Sequence, residues 1–158
     1  MANNYGKQVI TMLSDGQDLP NNTSVDSDSM AYVGGTTNGS LAISVYANTA
    51  ISIADTKVFK IDLQGYTSDT AASATSPFSS SNSGLTGTAL ANATAPYTIF
   101  DGLASGGAMA FSKGDLITQV VLPQELLDKL SYDWVQLVYT TTADESSELV
   151  DAFLHPLV

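Results

Sequence analysis

The chain has no cysteine and no arginine, and only one histidine and one tryptophan. Without thiols there are no disulfide staples, thiolate metal sites or cysteine nucleophiles, and the redox compartment stays open. All five basic residues are lysines (Lys7, Lys57, Lys60, Lys113 and Lys129), scattered against sixteen acidic residues for a net charge of −11. Nucleic-acid binding needs clustered Lys or Arg against phosphates, so no nucleic-acid partner is expected. The same charge argues against an anionic membrane surface. No apolar run reaches membrane-spanning length, and the opening stretch MANNYGKQVITMLSDG holds none long enough for a signal peptide. A soluble product made in the cytoplasm is the expectation, and the sequons at Asn21, Asn22, Asn38 and Asn92 then read as accidents of composition.

Charged residues make up only 13% of the chain while apolar ones make up 44%. The polar surface must therefore come from Ser, Thr, Asn and Gln, a profile that suits a loop-rich β-protein. At 158 residues the chain is long enough for one domain with a real core.

Strand signals recur along the sequence. Leu116–Leu122 (LITQVVL) and Trp134–Thr142 (WVQLVYTTT) alternate with a period of two, and Glu148–Leu154 (ELVDAFL) closes the chain. The connections between these three are short, which predicts a shared antiparallel sheet; residues 123–130 read as a single helical turn linking two of them. Ser40–Ala47 sets Leu41, Ile43 and Val45 against Ala42, Ser44 and Tyr46. In Lys57–Tyr66, Phe59, Ile61 and Leu63 should face inward, with Lys60, Asp62 and Gln64 outward. Shorter pieces are expected at Ser29–Val33, Ile51–Ile53, Tyr97–Leu103 and Ala108–Phe111. Val9–Leu13 reads as a short strand or an extended arm, and residues 14–18 as a turn.

The count comes to about eight strands, an all-β chain built as an antiparallel β-sandwich of jelly-roll or related type. Residues 1–158 form one domain, with 1–28 a partly extended arm and 29–158 the sandwich. Within it, residues 67–96 are small and polar, a long Ser/Thr/Ala-rich loop beyond the usual length. It is either a surface loop or a segment that orders on a neighbouring subunit with Phe78 as its anchor.

Chemistry-bearing patterns are scarce. His155, between Leu154 and Pro156, has no obvious nucleophile or orienting partner, so it reads as a surface or packing residue. Asp15 and Asp18, and Asp26 and Asp28, sit in oxygen-rich loops, but the calcium-loop pattern with its closing Glu is missing, and Asp beside Ser or Gly makes turns. Sixteen acids make some carboxylate pair inevitable, so none is singled out for glycoside hydrolysis. Gly34-Gly35, Gly102 and Gly106-Gly107 lack phosphate-loop spacing. Trp134 within its strand reads as core or subunit interface. No catalytic residue, cofactor or metal is expected, and no enzyme.

Residues 7–35 carry a resemblance. Gln8, then Leu13, Ser14, Asp15, Gly16 and Gln17, then a Ser-rich stretch to Tyr32, Val33 and Gly34 resemble the opening of the small capsid cement (decoration) proteins of tailed bacteriophages. The order of later strands is similar too: Leu41–Tyr46, Phe59–Asp69, a strand ending in Leu122-Pro123, an aromatic-started strand Trp134–Tyr139, and Ala152–Leu154. The chain departs from that pattern in its longer residues 67–96 and in Tyr132-Asp133-Trp134, where the family carries an Arg-Tyr pair. The resemblance covers most of the chain and implies a jelly-roll-like protomer without catalysis. It implies a homotrimer that binds the major capsid protein outside an expanded head, and so a location on the virion exterior. Val9, Ile10, Met12 and Leu13 of the arm, with Pro77 and Phe78 of the long loop, are the expected contact residues. Ordinary packing within the protomer is the competing role for the arm. The alternative function is a carbohydrate- or receptor-binding β-module of a phage tail or fibre, which requires exposed aromatics on one face.

Overall fold

Alternating apolar residues dominate the elements of the computed structural model, which describes residues 11–33, 41–66, 98–122 and 134–156. The strands are β1 (Thr11–Asp18), β2 (Ser24–Asp26), β3 (Ala31–Tyr32), β4 (Leu41–Ala47), β5 (Ile51–Ile53) and β6 (Val58–Tyr66). They continue with β7 (Thr98–Leu103), β8 (Met109–Phe111), β9 (Leu116–Leu122), β10 (Trp134–Thr141) and β11 (Leu149–Pro156). No helix occurs among the described residues. One sheet runs β1-β11-β4-β9, and the second runs β2-β10-β6-β7 with β3 also on β10. Every pairing is antiparallel, and β5 with β8 forms a small separate ribbon.

The two main sheets pack as a β-sandwich. Leu13, Ile43, Val45, Val150, Ala152 and Leu154 of one meet Phe59, Ile61, Leu63, Val135, Leu137 and Tyr139 of the other in a single buried cluster. The alternation expected for residues 40–47 and 57–66 thus sends the predicted side chains inward.

Three expectations are corrected. The C-terminal strands do not share a sheet: β9 and β11 lie in the first, separated by β4, and β10 lies in the second. A short connection can lead across the sandwich as readily as to a neighbouring strand, so connection length alone does not choose the sheet. Residues 14–18 are not a turn. The strand continues through them with register shifts at Met12/Ser14 and Ser14/Gln17. Gly16 takes φ +60°, and its N–H donates to Asp151 Oδ1 at 2.7 Å. The turn-favouring residues are absorbed as bulges. Finally, Lys60, Asp62 and Gln64 alternate away from the core but are at most 9% exposed. β6 is central in its sheet, flanked by β10 and β7, and buried polar groups need partners. The Thr98 hydroxyl donates to Asp62 Oδ1 at 2.7 Å, and Lys60 Nζ lies 3.9 Å from Asp101 Oδ1. The helical turn expected at 123–130 and the loop at 67–96 lie outside the described residues.

A polar network crosses the core. Ser14 Oγ donates to Gln17 Oε1 at 2.7 Å, which leaves the Tyr139 hydroxyl to donate to Ser14 Oγ at 2.9 Å. Gln17 Oε1 also accepts the Asp28 N–H at 2.9 Å. Burial pushes the Tyr139 phenol well above its ordinary pKa, so it stays a donor. This links the β1 bulge to β10 in the opposite sheet and to the segment after β2. Replacing Tyr139 with Phe should cost about 1–2 kcal/mol by leaving Ser14 short of a donor. Urea unfolding should show a lower midpoint at unchanged slope.

Candidate functional site

The first sheet's outward face carries a concavity. Antiparallel register sets Ser44 opposite Phe153 and Tyr46 opposite Asp151 across β4 and β11. Ser44, Tyr46, Phe153 and His155 line a groove of about 230 Å³. The Tyr46 and Phe153 rings meet edge to face at 6.3 Å. Met12 of β1 pairs in register with Phe153, and cross-strand partners share a face, so Met12 lies on the groove's flank. Gln119 of β9 lies opposite Ser44 on the other side.

Three polar side chains of this face, Gln119, Ser44 and His155, form a relay. Gln119 Nε2 donates to Ser44 Oγ at 2.8 Å, and Ser44 Oγ lies 2.8 Å from His155 Nε2. His155 Nδ1 lies 3.1 Å from the carbonyl of Pro156. A carbonyl only accepts, so Nδ1 carries a proton, and in the neutral ring Nε2 accepts the Ser44 hydroxyl. Each group is thereby used by its neighbour. Ser44 is 1% exposed, and the histidine is oriented by a main-chain carbonyl where a nucleophilic triad has a carboxylate. What remains open to a ligand is chiefly the aromatic surface.

Of the expected contact residues, Leu13 is fully buried in the chain's own core, and Met12 is half-buried beside the groove. Val9, Ile10, Pro77 and Phe78 lie outside the described residues. Trp134 is half-buried, with its ring 5.2 Å from that of the exposed Tyr32. Asp26 and Asp28 flank a turn tied down by Ser27, whose hydroxyl donates to the Ser29 carbonyl at 2.9 Å. Among the described residues no three His, Asp or Glu side chains converge as a metal site.

Ser44 and Gln119 carried no signal of their own in the sequence. Each is a polar residue at an outward position of an alternating strand, and only the β4–β9 register brings them together. Against known protein families, curated proteins and solved structures, the chain finds no match.

Proposed function

We propose that this chain is a cement protein: it binds the outer surface of a phage head, on the major capsid protein and as a homotrimer, and stabilises the expanded shell. One structural observation carries the reading. β2 and β3 both pair with β10 and count as one interrupted strand, and the β5–β8 ribbon stands apart. The eight principal strands then order as 1-8-3-6 and 2-7-4-5 in the two sheets, derived from β1-β11-β4-β9 and β2-β10-β6-β7. We read that order as a jelly roll, an architecture of two Greek keys that serves as a binding scaffold in capsid and lectin domains. The step from fold to role is an analogy. It gains support from the resemblance of residues 7–35 and from a strongly acidic surface, which suits a protein that stays off packaged DNA.

The mechanism is mass action. A ligand that binds only the assembled shell lowers that state's free energy by an amount set by its concentration and affinity, and many copies act in parallel. Heads lacking the chain should release DNA at a lower temperature than complete heads. Re-addition of the purified protein should restore the release curve, and superimposable curves with and without it would refute the role.

The aromatic groove favours a second reading, a carbohydrate-binding module. Tyr46 and Phe153 offer rings for the C–H face of a sugar. The relay of Gln119, Ser44 and His155 weakens it, because those polar groups already satisfy one another. Glycan binding that disappears in Tyr46→Ala would favour this module over the cement.

A further inference from the structure

Two carboxyls meet in the connection from β10 to β11. The run Glu145-Ser146-Ser147-Glu148 makes a β-turn, in which the Glu148 N–H donates to the Glu145 carbonyl at 3.0 Å. A β-turn keeps its first and fourth residues within about 7 Å, so the two acidic residues are neighbours. Glu145 is 6% exposed, and Glu148 is half-buried. The two oxygens of Glu148 are used differently. Oε1 accepts the Ser52 N–H at 3.0 Å. Oε2 is buried, and no N–H or hydroxyl group donates to it. A buried acceptor without a donor costs free energy. The neighbouring Glu145 carboxyl resolves this one, because a protonated carboxyl is a donor.

The surroundings supply no charge that would neutralise the pair instead. Asp144, exposed on the same connection, is itself acidic, with Oδ1 accepting the N–H and hydroxyl of Ser146. Asp18, exposed on β1, stands opposite Leu149. Leu19 and Pro20 on one side and Ser52 on the other carry nothing titratable. Among the described residues no lysine forms an ion pair with either glutamate.

We propose that Glu145 and Glu148 share one proton, donated by Glu145 to Glu148 Oε2, and that this proton latches the β5–β8 ribbon to the β10–β11 connection. β5 is held on one side by β8, where Ser52 pairs with Ala110, and on the other by the Ser52 N–H on Glu148. Loss of the proton sets two like charges against each other. The half-buried Glu148 side chain relieves them by turning out to water, and it takes Oε1 away from Ser52 as it goes. The ribbon, which carries the buried Ile51 and Ile53, then loses its tie on that side. Burial, the bond to Glu148 and the like charges raise the Glu145 carboxyl to about 8, so the latch is shut at neutral pH and opens on mild alkalinisation.

NMR of the whole chain, titrated across pH 8, tests the latch. The Ser52 amide proton should shift upfield as pH rises, with the midpoint of the Glu145 carboxyl carbon, while amides of the β4–β11 ladder stay in place. In Glu145→Gln the side-chain amide donates to Glu148 at every pH, so the Ser52 resonance should stay at its low-pH position. Glu148→Gln, whose carbonyl accepts from Ser52 while its amide donates to Glu145, should do the same. Melting temperatures confirm that each variant folds. A Glu145 carboxyl that titrates in the ordinary range overturns the shared proton. A Ser52 resonance that ignores the titration, or that moves equally in both variants, overturns the latch. Calcium chloride that restores the low-pH Ser52 resonance in alkaline solution assigns the pair to a divalent cation and overturns the proton as the latch.

Discussion

Replacing Phe59 with alanine should destabilise the protein by about 3–5 kcal/mol, the largest single-residue effect expected. Phe59 is fully buried near the start of β6, a strand central in its sheet. Its ring lies 5.4 Å from that of Phe100 on β7, which in turn lies 6.1 Å from Phe111 on β8. The aromatic chain therefore ties the second sheet to the small ribbon. Truncation removes the transfer free energy of a whole ring and leaves a cavity that strands held in register cannot collapse to fill. Against a typical total of about 5–15 kcal/mol, that is a large share of the stability. Calorimetry should show a melting temperature lower by on the order of 10 °C. A loss under about 1 kcal/mol would mean that Phe59 does not pack in the core.

The second large effect is pH dependence set by Glu145. This residue lies in the β10–β11 connection and is 6% exposed. Burial first, then a hydrogen bond with Glu148 and the charges of Glu148 and Asp144, push its carboxyl up to about 8. The surroundings explain why the group matters. Glu145 N–H donates to the Pro20 carbonyl and Glu148 N–H to the Glu145 carbonyl, while Leu19 N–H donates to the Glu148 carbonyl. Glu148 Oε1 accepts the Ser52 N–H at 3.0 Å. The connection thus clamps the crossing from β1 to β2 and the strand β5.

In the unfolded chain Glu145 releases its proton near the ordinary carboxyl value of 4.5. Between there and about 8 the folded state holds a proton that the unfolded state has lost. Stability must then fall as pH rises through this window, and level off above it. The full shift would amount to several kcal/mol, and because Glu145 shares its titration with the neighbouring Glu148 the expected loss is about 1–2 kcal/mol. Glu145→Gln is neutral at every pH and nearly isosteric. It should match wild type near the bottom of the window and exceed it above the top. Parallel stability–pH curves for the two proteins would remove Glu145 as the cause.

Much of the fold was legible because period-two alternation reports which side chains are inward. Leu41–Ala47 and Val58–Tyr66 were readable for that reason, and Phe59, Ile61 and Leu63 are core as expected. The same alternation misjudged Lys60, Asp62 and Gln64. Polarity marks a face as outward but says nothing about whether neighbouring elements bury it. Composition misread Ser14 to Asp18 as well. Turn-forming residues and bulge-forming residues are the same residues, and only the partner strand β11 distinguishes the two.

The candidate site was less legible than the scaffold. Met12 was named from sequence as a contact residue and lies beside the groove, but its neighbour Leu13 is spent on the core. The relay from Gln119 through Ser44 to His155 joins residues from three strands distant in sequence. No local pattern encodes such a pairing, because register is a property of two strands together.

The sequence alone determined the all-β class, the inward residues of its central strands, and an acidic surface poor in basic clusters. These follow from composition and from local periodicity, which the backbone imposes on each segment separately. Tertiary structure alone decided the partition of β9, β10 and β11 between two sheets, the burial of Lys60 and Asp62, and the carboxyl cluster at Glu145. It also decided which described strand ends the first sheet. LITQVVL would be an ordinary core strand with neighbours on both sides. Only the register with β4 places it at the end of the first sheet among the described residues, with its Thr118 hydroxyl donating to the Ile99 carbonyl of β7, because strand order depends on what packs beside a strand.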